Sequence, residues 1–221
     1  MRYAVLDDPV GESLRGHHAH LARTLGGALT YEPDVATFSS LTGPEAWADL
    51  AKLLGPGAFA DMFSHPATPP ADWAPVFVLE GRQMIWTGRA QDVDDVVVLG
   101  AADVPEMLDL AGRTKPGPFW ARTVAMGTYL GVRDGGTLVV MAGERLHPPG
   151  WTEISAVCTA PGARGRGLAA KLVGALVARI VARDERPFLH VAEANTGAIA
   201  LYERLGFTTR KAVTFRGFRT P

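Results

Sequence analysis

Between Thr159 and Leu172 the chain reads TAPGARGRGLAAKL, a glycine-rich turn that opens a helix. Arg164 and Arg166 stand at the helix start, and no Asp or Glu occurs from Thr159 to Arg183. The first turn of a helix is the positive end of its dipole, where acids are favoured and arginines are not. A helix start also leaves backbone N–H groups unpaired, and glycines let a ligand approach them closely. Phosphate is the anion that such a turn suits, and neighbouring arginines would strengthen its hold. The competing reading is a surface helix with solvated arginines and a flexible loop.

Two phosphate-binding patterns can be weighed against these residues. A P-loop requires Gly-Lys-Ser/Thr, whereas Leu168 and Ala169 follow Gly167. GRGLAA, Gly165 to Ala170, satisfies the dinucleotide pattern G-x-G-x-x-A, which would make the protein an NAD-dependent oxidoreductase. That fingerprint belongs directly at a strand end, and here TAPGAR intervenes. The chain that follows is also short for a second nucleotide-binding half.

Arg164-Gly165-Arg166-Gly167-Leu168-Ala169 matches Gln/Arg-x-x-Gly-x-Gly/Ala, the motif A signature of the GCN5-related N-acetyltransferases, with Pro161 and EISAVCT before it. Downstream, NTGAIALYERLGF places Asn195, Ala198, Tyr202, Gly206 and Phe207 in that family's order and spacing. The chain therefore resembles this family, in its wording the FR47-like branch, most specifically from about Glu153 to Phe207. The resemblance implies transfer of an acetyl or other short acyl group from acetyl-CoA to an amine by direct attack, without a metal. It implies that the backbone of Arg164, Gly165, Arg166, Gly167, Leu168 and Ala169 holds the pyrophosphate. Val157, Cys158 and Thr159 would align the pantetheine and offer an N–H to the thioester carbonyl, where charge develops. Asn195 would bond the pantetheine arm.

The same resemblance suggests the groups that move protons. Tyr202 stands where the family often has the acid that protonates the departing thiolate. Packing is its competing role, because Ile199, Tyr202 and Leu205 form a core-facing helical set. Glu153 is the candidate base: a carboxylate on this strand often serves so in the family. Period-two alternation puts Glu153, Ser155 and Val157 on one face. A salt-bridging glutamate is the alternative. A non-catalytic acyl-CoA-binding module would keep the same donor site with these groups idle.

Other conspicuous side chains read more plainly. His17, His18 and His20 lack a matching carboxylate or cysteine set and read as solvated surface, not as a metal site. His190 reads as a core or cleft histidine. Cys158 has no evident histidine partner in the sequence and reads as structural.

These residues need a scaffold, and the patterning supplies one. Leu168, Leu172, Leu176 and Ile180, joined by Val173 and Val177, mark a long amphipathic helix. WTEISAVCT, PFLHVAE and TRKAVTFRGF read as strands, and NTGAIALYERLGF as a helix ending at Gly206. Upstream, VVVLG reads as a buried strand, AADVPEMLDLAGRT as a helix with Pro105 in its first turn, and FWARTVAMG as a short helix. YLGVRDGGTLVVMAGERL is a hairpin around Asp134-Gly135-Gly136. The expected fold is α/β: a mixed, mostly antiparallel twisted sheet flanked by helices, occupying residues 94–221. The segment from Val104 to Tyr129, with Phe119, Trp120 and Met126, would bound the acceptor.

Residues 1–93 read as an N-terminal α/β region without a chemical motif, related at most to a degenerate acetyltransferase-like half. GESLRGHHAHLARTLGGAL and PEAWADLAKLLG suggest helices, HPATPPADWAP a connector, and VFVLEGRQMIW a hairpin turning near Glu80-Gly81. Across all 221 residues the net charge is −1, so no global field argues for nucleic acid or an acidic membrane. One cysteine precludes an internal disulfide and fits a reducing cytoplasm. The N-terminal acids do not suit a signal peptide, and no stretch reaches spanning length. The expected partner is a small-molecule, peptide or protein amine; a homodimer is left open.

Overall fold

The computed structural model describes residues 3–63, 68–90 and 95–221. The N-terminal region begins with helix α1 (Pro9–Arg15), capped by the Asp8 carboxylate, which accepts the Gly11 N–H at 3.0 Å. Strands β1 (Ala22–Leu25), β2 (Ala28–Tyr31) and β3 (Ser39–Leu41) form a small antiparallel sheet, followed by helix α2 (Trp47–Leu54). The single helix expected over GESLRGHHAHLARTLGGAL is therefore broken. Gly26, at a φ of +53°, turns the chain between β1 and β2.

Eight further strands make one sheet. They are β4 (Phe59–Met62), β5 (Ala74–Trp86), β6 (Val97–Leu99), β7 (Tyr129–Asp134), β8 (Thr137–Glu144), β9 (Trp151–Thr159), β10 (Arg186–Ala192) and β11 (Phe207–Arg219). Helix α3 (Val104–Thr114) precedes β7, α4 (Leu168–Val181) joins β9 to β10, and α5 (Thr196–Arg204) joins β10 to β11. The strand order is β4-β11-β5-β10-β9-β8-β7-β6, and neighbours are antiparallel except β9 and β10. The mixed, mostly antiparallel sheet flanked by helices is thus the observed architecture.

Three local expectations are corrected. VFVLEGRQMIW is part of one long strand, β5, with no turn at Gly81. A Cβ on Gly81 would overlap the Phe215 ring and the Val191 carbonyl, so this glycine marks close packing rather than a turn. FWARTVAMG forms only a short 3₁₀ turn, Thr123–Met126. VVVLG is the outermost strand, β6, with Val97 and Val98 exposed and Leu99 buried.

The long apolar stripe of α4 sits where its periodicity requires. Leu172, Val173, Leu176 and Ile180 pack with Met84, Leu130, Ile154 and Leu189 on one face of the sheet, and α5 adds Ile199 and Tyr202. On the opposite face α3 places Met107 and Leu110 against Met141, Ala156 and Cys158. Each such fully buried aliphatic side chain stabilises by roughly 1.5–3 kcal/mol.

The division expected between residues 93 and 94 lies outside the described residues, as does part of the His65–Pro75 connector. The elements before it belong to the same sheet nonetheless: β4 and β5 come from the first 93 residues, and β5 lies between β10 and β11. Leu6, Leu14, Tyr31 and Phe38 share a core with Trp151, Phe188 and Phe215. Among the described residues no helix is long and apolar enough to cross a membrane.

Candidate active site

The parallel strands β9 and β10 pair only from Trp151/Arg186 to Glu153/Phe188 and then separate. Their separated halves, Ile154–Thr159 and His190–Ala192, form two walls of a cleft of about 970 Å³. The turn before α4 and the residues Asn195, Leu201 and Tyr202 line it on one side of the sheet, and Thr114 to Gly117 line it on the α3 side. The cleft thus runs through the sheet. A gap between two strands leaves main-chain groups for a ligand to bond.

At the glycine-rich turn, α4 begins at Gly167, whose φ of +74° is left-handed and suits glycine. Its first turn has neither an acid nor a capping side chain. A Cβ at Gly165 or Gly167 would meet nothing within 4 Å, so the turn faces open space. Arg164, Gly165, Gly167, Leu168 and Ala169 all line the cleft. Arg166 does not. Its guanidinium donates to Asp134 at 2.6 Å, and both side chains are about half exposed. Part of the charge at this helix start is therefore met by the β7–β8 turn.

Val157, Cys158 and Thr159 line the cleft as expected from the sequence, but the strand reaches them irregularly. Met141 pairs with Cys158 and Gly143 with Ser155, so three steps of β9 oppose two of β8. Ala156 carries the extra residue at a φ of +52°. Ile154 and Val157 consequently both face α4, while Ala156 and Cys158 face α3. This bulge corrects the period-two expectation: Glu153 and Val157 lie on opposite faces. Cys158 is buried, and burial pushes its thiol pKa up against hydrogen bonds to Thr114 and the Met141 backbone. An inert thiol fits that setting.

Glu153 is fully buried and is not among the cleft-lining residues. Its two oxygens accept from Arg145 Nε at 2.8 Å and Nη2 at 2.7 Å, and His190 Nδ1 lies 2.6 Å from Oε1. Burial raises its pKa, but the Arg145 guanidinium and then His190 more than reverse this, to about 2. A carboxylate so paired is a poor collector of protons, so the geometry does not place Glu153 as the base. The bidentate arginine was missed in the sequence; a charged pair, Glu144-Arg145, closing a hairpin strand was the available signal.

His190 completes the network. Gln83 Nε2 donates to its Nε2 at 3.0 Å and to the Leu6 carbonyl at 2.8 Å, while Arg210 donates to Gln83 Oε1 at 2.7 Å. The histidine then donates from Nδ1 to Glu153 as a neutral ring. Burial lowers its pKa, opposed by Glu153. Its backbone borders the cleft, but both ring nitrogens are occupied.

Tyr202 lines the cleft at its α5 wall, with its ring 6.0 Å from Phe207. Burial raises its phenol to about 12, so the hydroxyl holds its proton more tightly than that of a free tyrosine. Asn195 caps α5, its side-chain oxygen accepting the Ala198 N–H at 3.2 Å, and its residue borders the cleft. The amide NH₂ remains available to a ligand. Thr114, Lys115, Leu79 and Arg204 also line the cleft and were not signalled by any motif.

The histidine run is not uniformly on the surface. His18 is buried, with Tyr31 Oη 2.8 Å from Nδ1 and the Met126 carbonyl 2.9 Å from Nε2. His17 stacks on His147 at 4.4 Å, and ring nitrogens of His17, His18 and His147 come within 4.8 Å of one another. Both His18 nitrogens are already bonded, which sets it in the core rather than in a ligand set.

Comparison with known proteins places this geometry in context. The family model described as FR47-like protein matches residues 129–216. A crystal structure from Novosphingobium aromaticivorans, assigned to the GNAT family of acetyltransferases, is 40% identical, with 98% of each chain covered and a TM-score of 0.91. A GCN5-related N-acetyltransferase from Kribbella flavida shares the fold at 16% identity and a TM-score of 0.63, covering 98% of this chain and 96% of its own. A GNAT-family acetyltransferase from Colwellia psychrerythraea does so at 13% identity and a TM-score of 0.55, covering 99% and 97%. No curated protein matches the sequence.

Proposed function

Because the chain belongs to the GCN5-related N-acetyltransferase family, we propose that it transfers an acetyl or other short acyl group from acetyl-CoA to an amine by direct attack. One observation carries the reading: a single cleft joins the turn Arg164–Ala169, the parted strand β9 and Tyr202. Acetyl-CoA supplies the activated thioester. The open turn at Gly165 and Gly167 suits its pyrophosphate, since the glycines leave space where a side chain would intrude.

Along β9, the backbone of Val157 to Thr159 is free of β10 and can offer an N–H to the thioester oxygen, stabilising the charge that develops there. Tyr202, whose phenol carries its proton at the cleft wall, is the acid. Glu153 and His190 act as positioning residues. With Arg145 they fix the point where β9 and β10 part.

The test is release of free thiol from acetyl-CoA in the presence of an amine panel, beside calorimetric titration with acetyl-CoA and with NAD. Acetyl-CoA binding with amine-dependent thiol release is the expected result. Binding without release would leave a donor-binding module, and NAD binding alone would overturn the reading.

A further inference from the structure

β5 changes character along its length. From Gly81 to Ile85 it is flanked by β11 on one edge and β10 on the other. From Ala74 to Leu79 only β11 pairs with it among the described residues. The last link across the other edge is the Glu193 N–H, which donates to the Glu80 carbonyl at 2.9 Å. Val76, Phe77, Val78 and Leu79 are all exposed, Val78 at 63%. Consecutive exposed apolar residues on an unpaired edge are a template for another strand, and proteins blunt such edges unless they use them. Pro75, which has no N–H, and the bulge at Val76 confine the usable edge to four residues.

The position and polarity of this edge point to its occupant. Leu79, at its inner end, also lines the cleft. A chain added antiparallel to β5 starts opposite Leu79 and runs outward toward Val76, so its N-terminus is the end delivered to the cleft. A stable pairing of two copies would need roughly 20–30 residues a side. Four residues fall far short of that but suffice to align a passing substrate.

The proton chemistry of the cleft points the same way. Among the described residues no Asp or Glu lines it, and His190 is bonded at both ring nitrogens. An attacking amine must therefore be neutral by its own pKa. A lysine amine is about 0.1% neutral near pH 7.5, whereas a peptide α-amine, with a pKa of about 7.7–8.0, is about one-third neutral.

We propose that the acceptor is the α-amino group of an extended peptide whose first residues, apolar in character, pair with Val76–Leu79. The proposal rests on the acyl-transfer reading of the cleft. The α-nitrogen bonds to the thioester carbonyl carbon and the C–S bond breaks. Sulfur leaves with the electron pair and takes up a proton from Tyr202, which the proton shed by the nitrogen restores through solvent.

The experiment compares four acceptors with acetyl-CoA: a hexapeptide with a free N-terminus and apolar residues at positions two to four; the same peptide formylated and carrying an internal lysine; the same peptide with those positions made Asp; and glycinamide. The free apolar peptide should exceed each of the others at least tenfold in kcat/KM. Val78→Lys should raise its KM at least tenfold while leaving glycinamide turnover and acetyl-CoA affinity unchanged. Glycinamide turned over as well as the peptide, a preference for the lysine, or an unchanged peptide KM in Val78→Lys would overturn the proposal and leave acyl transfer standing. Turnover of no amine at all would overturn both. A dimer by light scattering that Val78→Lys dissociates, with peptide kinetics unaltered, would give the edge to a second copy and overturn the proposal.

Discussion

Arg145 grips Glu153 through two parallel hydrogen bonds, 2.8 and 2.7 Å long, at a carboxylate that solvent does not reach. Such a pair stabilises less by its own attraction than its loss costs, because either partner left alone is a buried, uncompensated charge. Glu153→Gln strands Arg145 between the Phe38 and Phe63 rings over which it lies. The variant should lose about 3–5 kcal/mol of stability, read from urea unfolding. Its pH–rate profile should keep the parent's ascending limb. A limb displaced to higher pH with stability intact would restore Glu153 as the base.

Acid should loosen this protein in two stages. Burial holds His18 down to about 3, and burial with the nearby His17 holds His147 down to about 4, against an ordinary 6.5. The unfolded chain takes up those protons below pH 6.5 while the folded chain resists them, so stability declines from about pH 6.5 toward 4 for His147 and toward 3 for His18. Glu153 follows: its contribution is present above an ordinary 4.5 and is lost as pH falls from there through about 2. Urea midpoints should therefore drop already between pH 7 and 5, with a shallower drop in His147→Asn. Constant midpoints over that range would contradict the burial of these rings.

Gly167→Val tests whether the turn before α4 holds the donor. The substitution forces a β-branched residue into a left-handed conformation, costing roughly 1–2 kcal/mol, and puts a side chain into the open space before α4. Acetyl-CoA affinity should fall at least tenfold, or about 1.4 kcal/mol, by calorimetry on folded protein. Unchanged affinity would move the donor out of this turn.

For Tyr202→Phe, the ring and its packing against Phe207 remain while the donor is removed. Turnover should fall on the order of tenfold to a thousandfold with donor affinity nearly constant, since a group acting in the transition state shows itself in kcat. Parent-like turnover would leave Tyr202 a packing residue.

What could be read from the sequence depended on whether the information was local. The α4 stripe and the Asp134-Gly135-Gly136 hairpin follow from periods and turn chemistry that span a few residues, and both formed where expected. The residues expected to meet the donor, Val157 to Thr159 and Arg164 to Ala169, likewise line one cleft, apart from Arg166. The expectation that Glu153 shares a face with Val157 failed because alternation assumes an unbroken pleat, and Ala156 breaks it. Gly81 was misread because a glycine needed for the approach of Phe215, 134 residues away, looks in sequence like one needed for a turn. His18 looked like surface because its partners, Tyr31 and Met126, lie outside its local pattern.

The place of β5 in the sheet also has a price in time. Its flanking strands, β10 and β11, begin about a hundred or more residues later in the chain. As the polypeptide leaves the ribosome, VFVLEGRQMIW is exposed long before either neighbour exists. Loop-closure entropy must be overcome before the central pairings can form, which makes late, non-local strand insertion the slow event in folding. An apolar, β-prone segment waiting through that interval is open to pairing with other nascent chains. The matched stretch 129–216, made alone, would lack β5 between its last two strands. The sheet thus extends beyond the matched stretch, since β4, β5 and β6 lie outside residues 129–216.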